Sequence, residues 1–526
     1  MIYVVDIFAG PGGLSEGFAN FETRIRGSSQ CPFKVAVSAE MDPAAHQTLL
    51  LRAFFRQFKS KPIPREYYDF LANPSINTGD PKNPTSFASR FPKEWKAACE
   101  EALNLRLGLR KDNASLYSAI RDRIPLKQPW VLIGGPPCQA YSLVGRSRNR
   151  GKEHYRPSRD KRHFLYREYL HILDEFRPDA FIMENVKGLL SSKVKGEKIF
   201  GRITNDLMNP GRALGKKSGA KYQLIPLGMN WKKDRRVQLV PRDYLLFSER
   251  HGVPQTRHRV ILLGIRSDHR VENTKRLPLR KWYSVQQAWA GLPALRSGLS
   301  KSDDSGPAWA KVVGKQCQIL VRQLRDRRDL ADVRKYLASL EFDEGLQRGA
   351  VSVALRSVNA TRQAKMPSGL ARHILDARLS VALNHESRGH MATDLRRYLF
   401  CIAYSKCRKG RSPVSRDFPA QLAPKHASWK TGNFADRFRV HASHKPSGTI
   451  TSHIAKDGHY FIHHDVAQCR TMTVREAARL QTFPDNYFFL GNRSQQFTQV
   501  GNAVPPVLAR QIAMRLWQLL NQQAVR

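Results

Sequence analysis

Cys138 is the residue of this 526-residue chain with the most chemistry in its surroundings. It stands in Gly135-Pro136-Pro137-Cys138-Gln139, where two prolines stiffen the approach and the glycines before them allow a tight exit from a strand. A thiol held at a strand end becomes a nucleophile when cationic groups or a helix terminus stabilise its thiolate. A lone cysteine is equally at home as an inert buried hydrophobe. Glu184, in Phe181-Ile182-Met183-Glu184-Asn185-Val186, either brings a carboxylate beside such a thiol or merely opens a loop. In Gln255-Thr256-Arg257-His258-Arg259, alternate side chains of an extended segment share one face. Arg257 and Arg259 would there orient an anionic group and lower the pKa of a nearby thiol. The last constellation is Asp6-Ile7-Phe8-Ala9-Gly10-Pro11-Gly12-Gly13-Leu14, a glycine-rich turn that lets backbone close on a ligand, or is only a turn. Glu40, after a second apolar run, is suited to a ribose diol.

The elements that must position these residues are short apolar runs bounded by Gly and Pro. Tyr3-Val4-Val5, Val35-Ala36-Val37, Trp130-Val131-Leu132-Ile133, Ala180-Phe181-Ile182-Met183 and Val260-Ile261-Leu262-Leu263 read as buried strands with helices between them. That alternation predicts a parallel α/β sheet, whose ligands collect at the carboxyl ends of the strands. Each constellation except Gln255–Arg259 follows the end of one of these runs. Residues 1–267 therefore read as one α/β unit. Residues 52–128 and 191–235 look inserted, as loops or small helical additions. From residue 268 to 465 the alternation fades and Arg, Lys, Ser and His crowd the chain, which predicts a second, less regular domain. Residues 466–526 return to regular pattern. Thr473 and Glu476 form a capping box for a helix through Leu480, and Leu508, Ile512, Leu516 and Leu519 recur at helical spacing after Pro505.

Lys and Arg total 88 against 44 Asp and Glu, a net charge of +44 spread over the whole chain. A surplus of that size repels itself unless a polyanion is present, so nucleic acid is the expected partner. The seven cysteines form no Cys-x-x-Cys pair, which argues against a disulfide framework and a thiolate zinc site. No metal is expected at His385-Glu386-Ser387-Arg388-Gly389-His390 either: the second His comes five residues on, and Gly389 disfavours a helix. His459, His463, His464 and Asp465 lack a partner to complete a tetrahedral set. No run reaches the roughly 20 apolar residues of a membrane span and no signal peptide opens the chain, so a cytoplasmic location is expected.

Together, in chain order, Phe-x-Gly-x-Gly-Gly, Pro-Pro-Cys-Gln, Glu-Asn-Val and Gln-x-Arg-x-Arg resemble the DNA (cytosine-5) methyltransferase family of bacterial restriction-modification and defence systems. Arg475-Glu476-Ala477-Ala478-Arg479-Leu480-Gln481-Thr482-Phe483-Pro484 resembles its ninth motif, and Gln499-Val500-Gly501-Asn502-Ala503-Val504-Pro505-Pro506 its tenth. The resemblance implies a Rossmann-like methyltransferase sheet with helices on both faces, and a smaller irregular target-recognition domain at 268–465. It implies S-adenosylmethionine as methyl donor, held by Phe8, Ala9, Gly10, Gly12, Gly13, Leu14, Glu40, Met41, Pro136, Asn502 and Ala503. Cys138 would add to cytosine carbon-6, Glu184 would contact ring nitrogen 3 and the exocyclic amine, and Arg257 and Arg259 would orient base and cysteine. The target base must leave the duplex stack, and Arg146, Arg148, Arg150 and Lys152 would belong to a mobile loop closing over it. The family's acidic contact to the adenine amine has no clear counterpart; Asp112 and Asp122 are weak candidates.

About two hundred residues separate the eighth and ninth motifs, which favours readout of a specific double-stranded DNA sequence over the alternative, a compact RNA (tRNA) cytosine-5 methyltransferase. The intact Cys138, Glu184, Arg257 and Arg259 weigh against a catalytically silent DNA-binding relative. Segments 383–400, with Arg388, Arg396 and Arg397, and 425–456 are expected to supply groove-reading side chains on extended loops. Action as a monomer on DNA, with cognate restriction or defence proteins encoded nearby, completes the expectation.

Overall fold

The computed structural model describes residues 1–25, 28–74, 83, 86–136, 165–194, 197–233, 239–300, 303–355, 366–424, 429 and 436–521. The chain opens with β1 (Ile2–Ile7), α1 (Gly13–Ala19), β2 (Phe33–Glu40), α2 (Pro43–Arg56), α3 (Arg65–Ala72) and α4 (Pro92–Glu101). It continues with β3 (Ala102–Asn104), α5 (Arg110–Arg123), β4 (Trp130–Gly134), α6 (Leu165–Phe176) and β5 (Ala180–Val186). β6 (Tyr222–Ile225), β7 (Leu245–Phe247) and β8 (His258–Arg266) complete one sheet in the order β6-β8-β5-β4-β1-β2-β3, with β7 on β8.

The expectation of a parallel sheet holds from β3 to β5 and fails beyond. β1, β2, β3, β4 and β5 run parallel, whereas β8 is antiparallel to β5, β6 and β7. The reversal has a direct consequence for chemistry. Because β8 runs backwards, its first residues, not its last, meet the carboxyl ends of the other strands, and Arg259 lies in register with Val186. A parallel β8 would have carried Arg257 and Arg259 to the opposite edge.

Both faces of the sheet are covered, which is why its strands read as continuous apolar runs. One face packs Val4, Val35, Ile133, Ile182 and Ile261 against α1 and the C-terminal helix; the other packs Val5, Val37, Leu132, Phe181 and Leu262 against α5 and α6. Each fully buried aliphatic or aromatic side chain contributes about 1.5–3 kcal/mol. α2 starts where the sequence says it should: Asp42 accepts the Ala45 amide at 2.9 Å and Pro43 takes the first helical position.

The segments 52–128 and 191–235 are less foreign than their composition implies. β3 and α5 lie within the first and belong to the sheet and its covering layer; β6 lies within the second and forms a sheet edge. The end of α2, α3, α4 and the short helical segment Phe87–Arg90 build an extra aromatic cluster, in which Phe54 stacks on Phe87 at 4.7 Å. This cluster braces Leu379, Val381 and Leu383 from the following region.

Between residues 268 and 465 lie α7 (Gly306–Gln323), β9 (Gly349–Ala354), α8 (Ser368–Ile374), β10 (Val381–Glu386) and α9 (Ala392–Cys407), with β9 and β10 paired antiparallel. α7 and α9 pack around a core of their own that includes Trp309, Leu320, Tyr398 and Phe400. Two arginines expected on groove-reading loops donate to backbone carbonyls of this region. Arg388 donates to the Ile454 carbonyl at 2.8 Å and lies on the Phe497 ring, and Arg397, on α9, donates to the Leu422 carbonyl at 2.9 Å. Of segment 425–456, residues 425–428 and 430–435 lie outside the described residues.

The chain then returns to the sheet through α10 (Val474–Leu480), α11 (Arg493–Asn502) and α12 (Pro506–Asn521). The capping box at Thr473 is present, and Leu508, Ile512, Leu516 and Leu519 are buried on one stripe of α12. α12 lies so close to α1 that a Cβ on Gly17 would come within 2.6 Å of the Arg510 backbone nitrogen, so only glycine allows this contact.

Candidate active site

Four parallel strands and one reversed strand deliver the predicted residues to a single edge. β1 ends in Phe8-Ala9-Gly10, β2 in Glu40, β4 in Gly134-Gly135-Pro136 and β5 in Glu184, while Arg259 comes from the start of β8. β1 is where chain order switches direction between β4 and β2, the crevice in which open α/β sheets hold their ligands.

The glycine turn is tied to β2 by the carboxylate that sequence pairs with it. Glu40 accepts the Gly10 amide on Oε2 and the Asp42 amide on Oε1, both at 2.8 Å. Burial raises its pKa, an effect these amide hydrogen bonds oppose. Phe8, Gly10 and Gly12 have φ of 56°, 57° and 92°, so the chain coils tightly between β1 and α1. At Gly12 a Cβ would also come within 2.8 Å of Leu49 Cδ1. Gly10 faces open space and Met41 is 60% exposed, an apolar side chain available to a flat partner. Leu14 is buried under the turn. Asp6, wholly buried one turn earlier, has its pKa raised to about 7 by desolvation.

Residues 499–505 cover the turn from the other side. Ala503 is buried, and its Cβ would lie 3.2 Å from one added at Gly13; Asn502 is exposed at the end of α11. Gln481 donates to the carbonyls of Val500 at 2.6 Å and Ala503 at 3.3 Å, which fastens this segment to α10.

The second half of the site is the Glu184–Arg259 ion pair, at 2.8 Å with side chains 12% and 11% exposed. Burial lowers the Arg259 pKa and the Glu184 charge opposes that shift. Gly135 sits against the carboxylate: a Cβ there would lie 3.0 Å from Glu184 Oε2. Pro136 is buried beside it. Cys138, together with Arg146, Arg148, Arg150 and Lys152, lies outside the described residues, which stop at Pro136, two positions before the cysteine.

Arg257 and Gln255 do something other than their spacing alone implies. Both turn toward residue 450: Gln255 Oε1 accepts the Ile450 amide and Arg257 Nη1 donates to the Ile450 carbonyl, each at 2.7 Å. Arg257 also donates to the Gly501 carbonyl at 3.1 Å, and Gln255 to Gln481 Oε1 at 3.1 Å. Arg257 is 1% exposed, and burial first, then Arg259, pushes its pKa well down. It is a tether between β8 and the covering segment, whereas Arg259 faces Glu184.

One residue at this edge escaped sequence reading. Asn104 ends β3, in register with Glu40, and donates its amide to the Glu40 carbonyl at 2.8 Å. A three-residue strand inside an apparent insertion offers no periodicity to detect. Asp112 accepts the Arg106 amide and Asp122 the Ser118 hydroxyl. Two of the histidines weighed as metal ligands are internal hydrogen-bond partners: His385 meets Thr473 Oγ1 and the Pro293 carbonyl, and His390 meets Tyr398 and Thr471. Among the described residues no group of three His, Cys, Asp or Glu is placed to hold a metal ion, and no helix is long and apolar enough to cross a membrane.

A glycine turn after the first strand, a carboxylate after the second and a doubly covered, mostly parallel sheet make this a nucleotide-binding type of α/β fold, the type to which S-adenosylmethionine-dependent methyltransferases belong. Residues 83–212 and 243–518 match the family model for C-5 cytosine-specific DNA methylase, and the chain belongs to that family. It is accordingly a DNA (cytosine-5-)-methyltransferase, with DNA as substrate and S-adenosylmethionine as methyl donor. Over 536 aligned positions it is 30% identical to the Type II methyltransferase M.Bpa9945I of Bacillus paralicheniformis, covering 98% of this chain and 99% of that one. It is 27% identical over 402 positions to the Type II methyltransferase M.AgeI of Thalassovita gelatinovora, covering 73% and 81%. With the DNA (cytosine-5-)-methyltransferase M.ApeKI of Aeropyrum pernix it shares 25% identity over 430 positions, covering 74% and 81%.

Proposed function

We propose that the chain methylates carbon-5 of cytosine within a specific double-stranded DNA sequence, with Cys138 as nucleophile, as the modification half of a restriction-modification or phage-defence system. The observation that carries the proposal is the Glu184–Arg259 pair packed on Gly135, at the same sheet edge as the Gly10–Glu40 turn. In this reading a base-binding carboxylate and a donor-binding turn share one edge of the sheet, on strands with β4 between them. The names of the Type II relatives support the defence role.

In this reading the cytosine is flipped out of the duplex and Glu184 holds ring nitrogen 3 and the exocyclic amine. Arg259 keeps Glu184 oriented and completes the polar wall of the pocket. The Cys138 thiolate adds to carbon-6, which places electron density on carbon-5. The bound donor supplies an electrophilic methyl group. Removal of the carbon-5 proton and departure of Cys138 then restore the aromatic ring. The residues around Gly10 fit such a donor: Glu40 takes its ribose hydroxyls, Met41 lies on the adenine, and the closely packed Gly12 and Gly13 leave room at Gly10. We assign the adenine amine to Asn104, which donates from Nδ2 to the Glu40 carbonyl and has in Oδ1 an acceptor suited to an amine. The chain acts as a monomer, and cognate restriction or defence proteins are encoded nearby.

Purified protein with labelled S-adenosylmethionine and either DNA or RNA tests the proposal. Label is expected on DNA and lost in Cys138→Ala. Bisulfite sequencing of DNA from expressing cells is expected to return one fixed sequence context. Label on RNA alone, undiminished transfer by Cys138→Ala, or methylcytosines without common context would each overturn a part of it.

A further inference from the structure

We infer that Tyr487 is a positioning residue for the methyl-donor loop, holding it through the Pro11 carbonyl. This rests on the donor site proposed above. Tyr487 follows the ninth motif in sequence and lies more than four hundred residues from the turn it serves, yet its hydroxyl donates to the Pro11 carbonyl. The same hydroxyl would be 3.1 Å from a Cβ on Gly12. Pro11 stands between Gly10 and Gly12, both with positive φ, so its carbonyl is the point at which the coil of the turn can be pinned.

Everything around the Tyr487 ring is arranged to hold it still. The ring is 1% exposed and packs on Phe483 and Phe489, with centroids 4.7 and 5.4 Å away. The Arg52 guanidinium sits 4.9 Å from its centroid and pairs with Glu16 of α1 at 2.5 Å. Its own carbonyl accepts from Arg475 at 2.6 Å. Burial drives the phenol pKa upward, so the hydroxyl stays protonated and remains a donor.

The neighbouring residues extend the strap. Asn486 accepts from Arg52 at 3.0 Å and donates to Asp376 at 2.7 Å, and Tyr68 donates to the same Asp376 oxygen at 2.6 Å. Asp485 pairs with Arg479 at 2.8 Å and its amide donates to the Ile374 carbonyl at 2.7 Å. Residues 485–487 thus join the donor turn, α2 and the segment just after α8 in one hydrogen-bonded chain. A loop preorganised in this way binds its ligand without first ordering itself.

The test is Tyr487→Phe in the full chain, which removes one oxygen and keeps the ring, its burial and the Arg52 contact. S-adenosylmethionine binding is measured by calorimetry without DNA, and steady-state methylation of DNA in parallel. The Kd and KM for S-adenosylmethionine are expected to rise about tenfold, the effect of losing about 1.4 kcal/mol. The KM for DNA and the kcat at saturating donor should stay within twofold. Hydrogen exchange over residues 9–13 should quicken in the variant. Asn486→Ser, which frees the strap from both Asp376 and Arg52 without touching the turn, should give a smaller rise of the same kind and serves alone where Tyr487→Phe does not fold. A folded variant with unchanged donor affinity, or with loss confined to kcat or to the KM for DNA, overturns the inference. Failure of the unmutated chain to bind S-adenosylmethionine would instead overturn the donor site itself.

Discussion

Replacing Arg257 with methionine separates two roles that spacing alone assigns to the same arginine. The resemblance to the family puts Arg257 on the base and the cysteine; the structure gives its Nη1 to the backbone carbonyls of Ile450 and Gly501. Methionine approximates the length of the side chain and removes both hydrogen bonds. Each buried carbonyl left without a partner costs about 1–3 kcal/mol. Part of that is returned because the desolvated guanidinium, whose pKa burial pushes well down, is gone as well. A net destabilisation of about 3 kcal/mol results. With an unfolding entropy of about 2.1 cal/mol/K per residue, and if the chain unfolds as a unit, this lowers Tm by about 3 °C. Calorimetric melting measures it, and methylation below the melting range reads the other role. Arg257→Lys should recover little, because one ammonium cannot reproduce the planar fork. An unshifted Tm together with abolished methylation would refute the reasoning and return Arg257 to the substrate.

Four other outcomes follow from particular residues. Gly12→Ala should cost about 1–2 kcal/mol for a left-handed non-glycine residue, more with the Leu49 contact, and should weaken S-adenosylmethionine binding in calorimetry. Asp6 has its folded-state pKa raised from 3.8 to about 7, so the native state holds the extra proton and stability falls as pH rises between these values, by on the order of 4 kcal/mol in full. Asp6→Asn should therefore melt progressively higher than the parent from pH 5 to 8. His385 and His441, both lowered from 6.5 to about 4 by burial, act in the opposite direction. Each contributes up to about 3 kcal/mol, present above pH 6.5 and lost as pH falls toward 4, which melting of His385→Asn between pH 4 and 7 would expose. The +44 charge predicts DNA binding that weakens with salt at a log–log slope of about −0.9 for each phosphate contacted, measurable by fluorescence anisotropy.

The amino-acid sequence by itself determined the glycine turn after the first strand, the pairing of that turn with Glu40, and the local starts of helices at Asp42 and Thr473. All of these depend on groups a few residues apart or on strands buried on both faces, whose apolar runs are visible without a fold. The family resemblance added roles that no local pattern carries, above all for Cys138. Tertiary structure alone decided the direction of β8, since apolar runs of buried parallel and antiparallel strands look the same, and that direction brings Arg259 to Glu184. It also decided that Arg257, two residues earlier, turns to Ile450 and Gly501, partners about 190 and 240 residues distant with no sequence mark for the contact. Asn104 was hidden by the shortness of β3, and Tyr487 by its distance from Pro11. Long-range hydrogen bonds to backbone carbonyls leave no trace in residue type, because every residue has a carbonyl; only the folded chain shows which one is used.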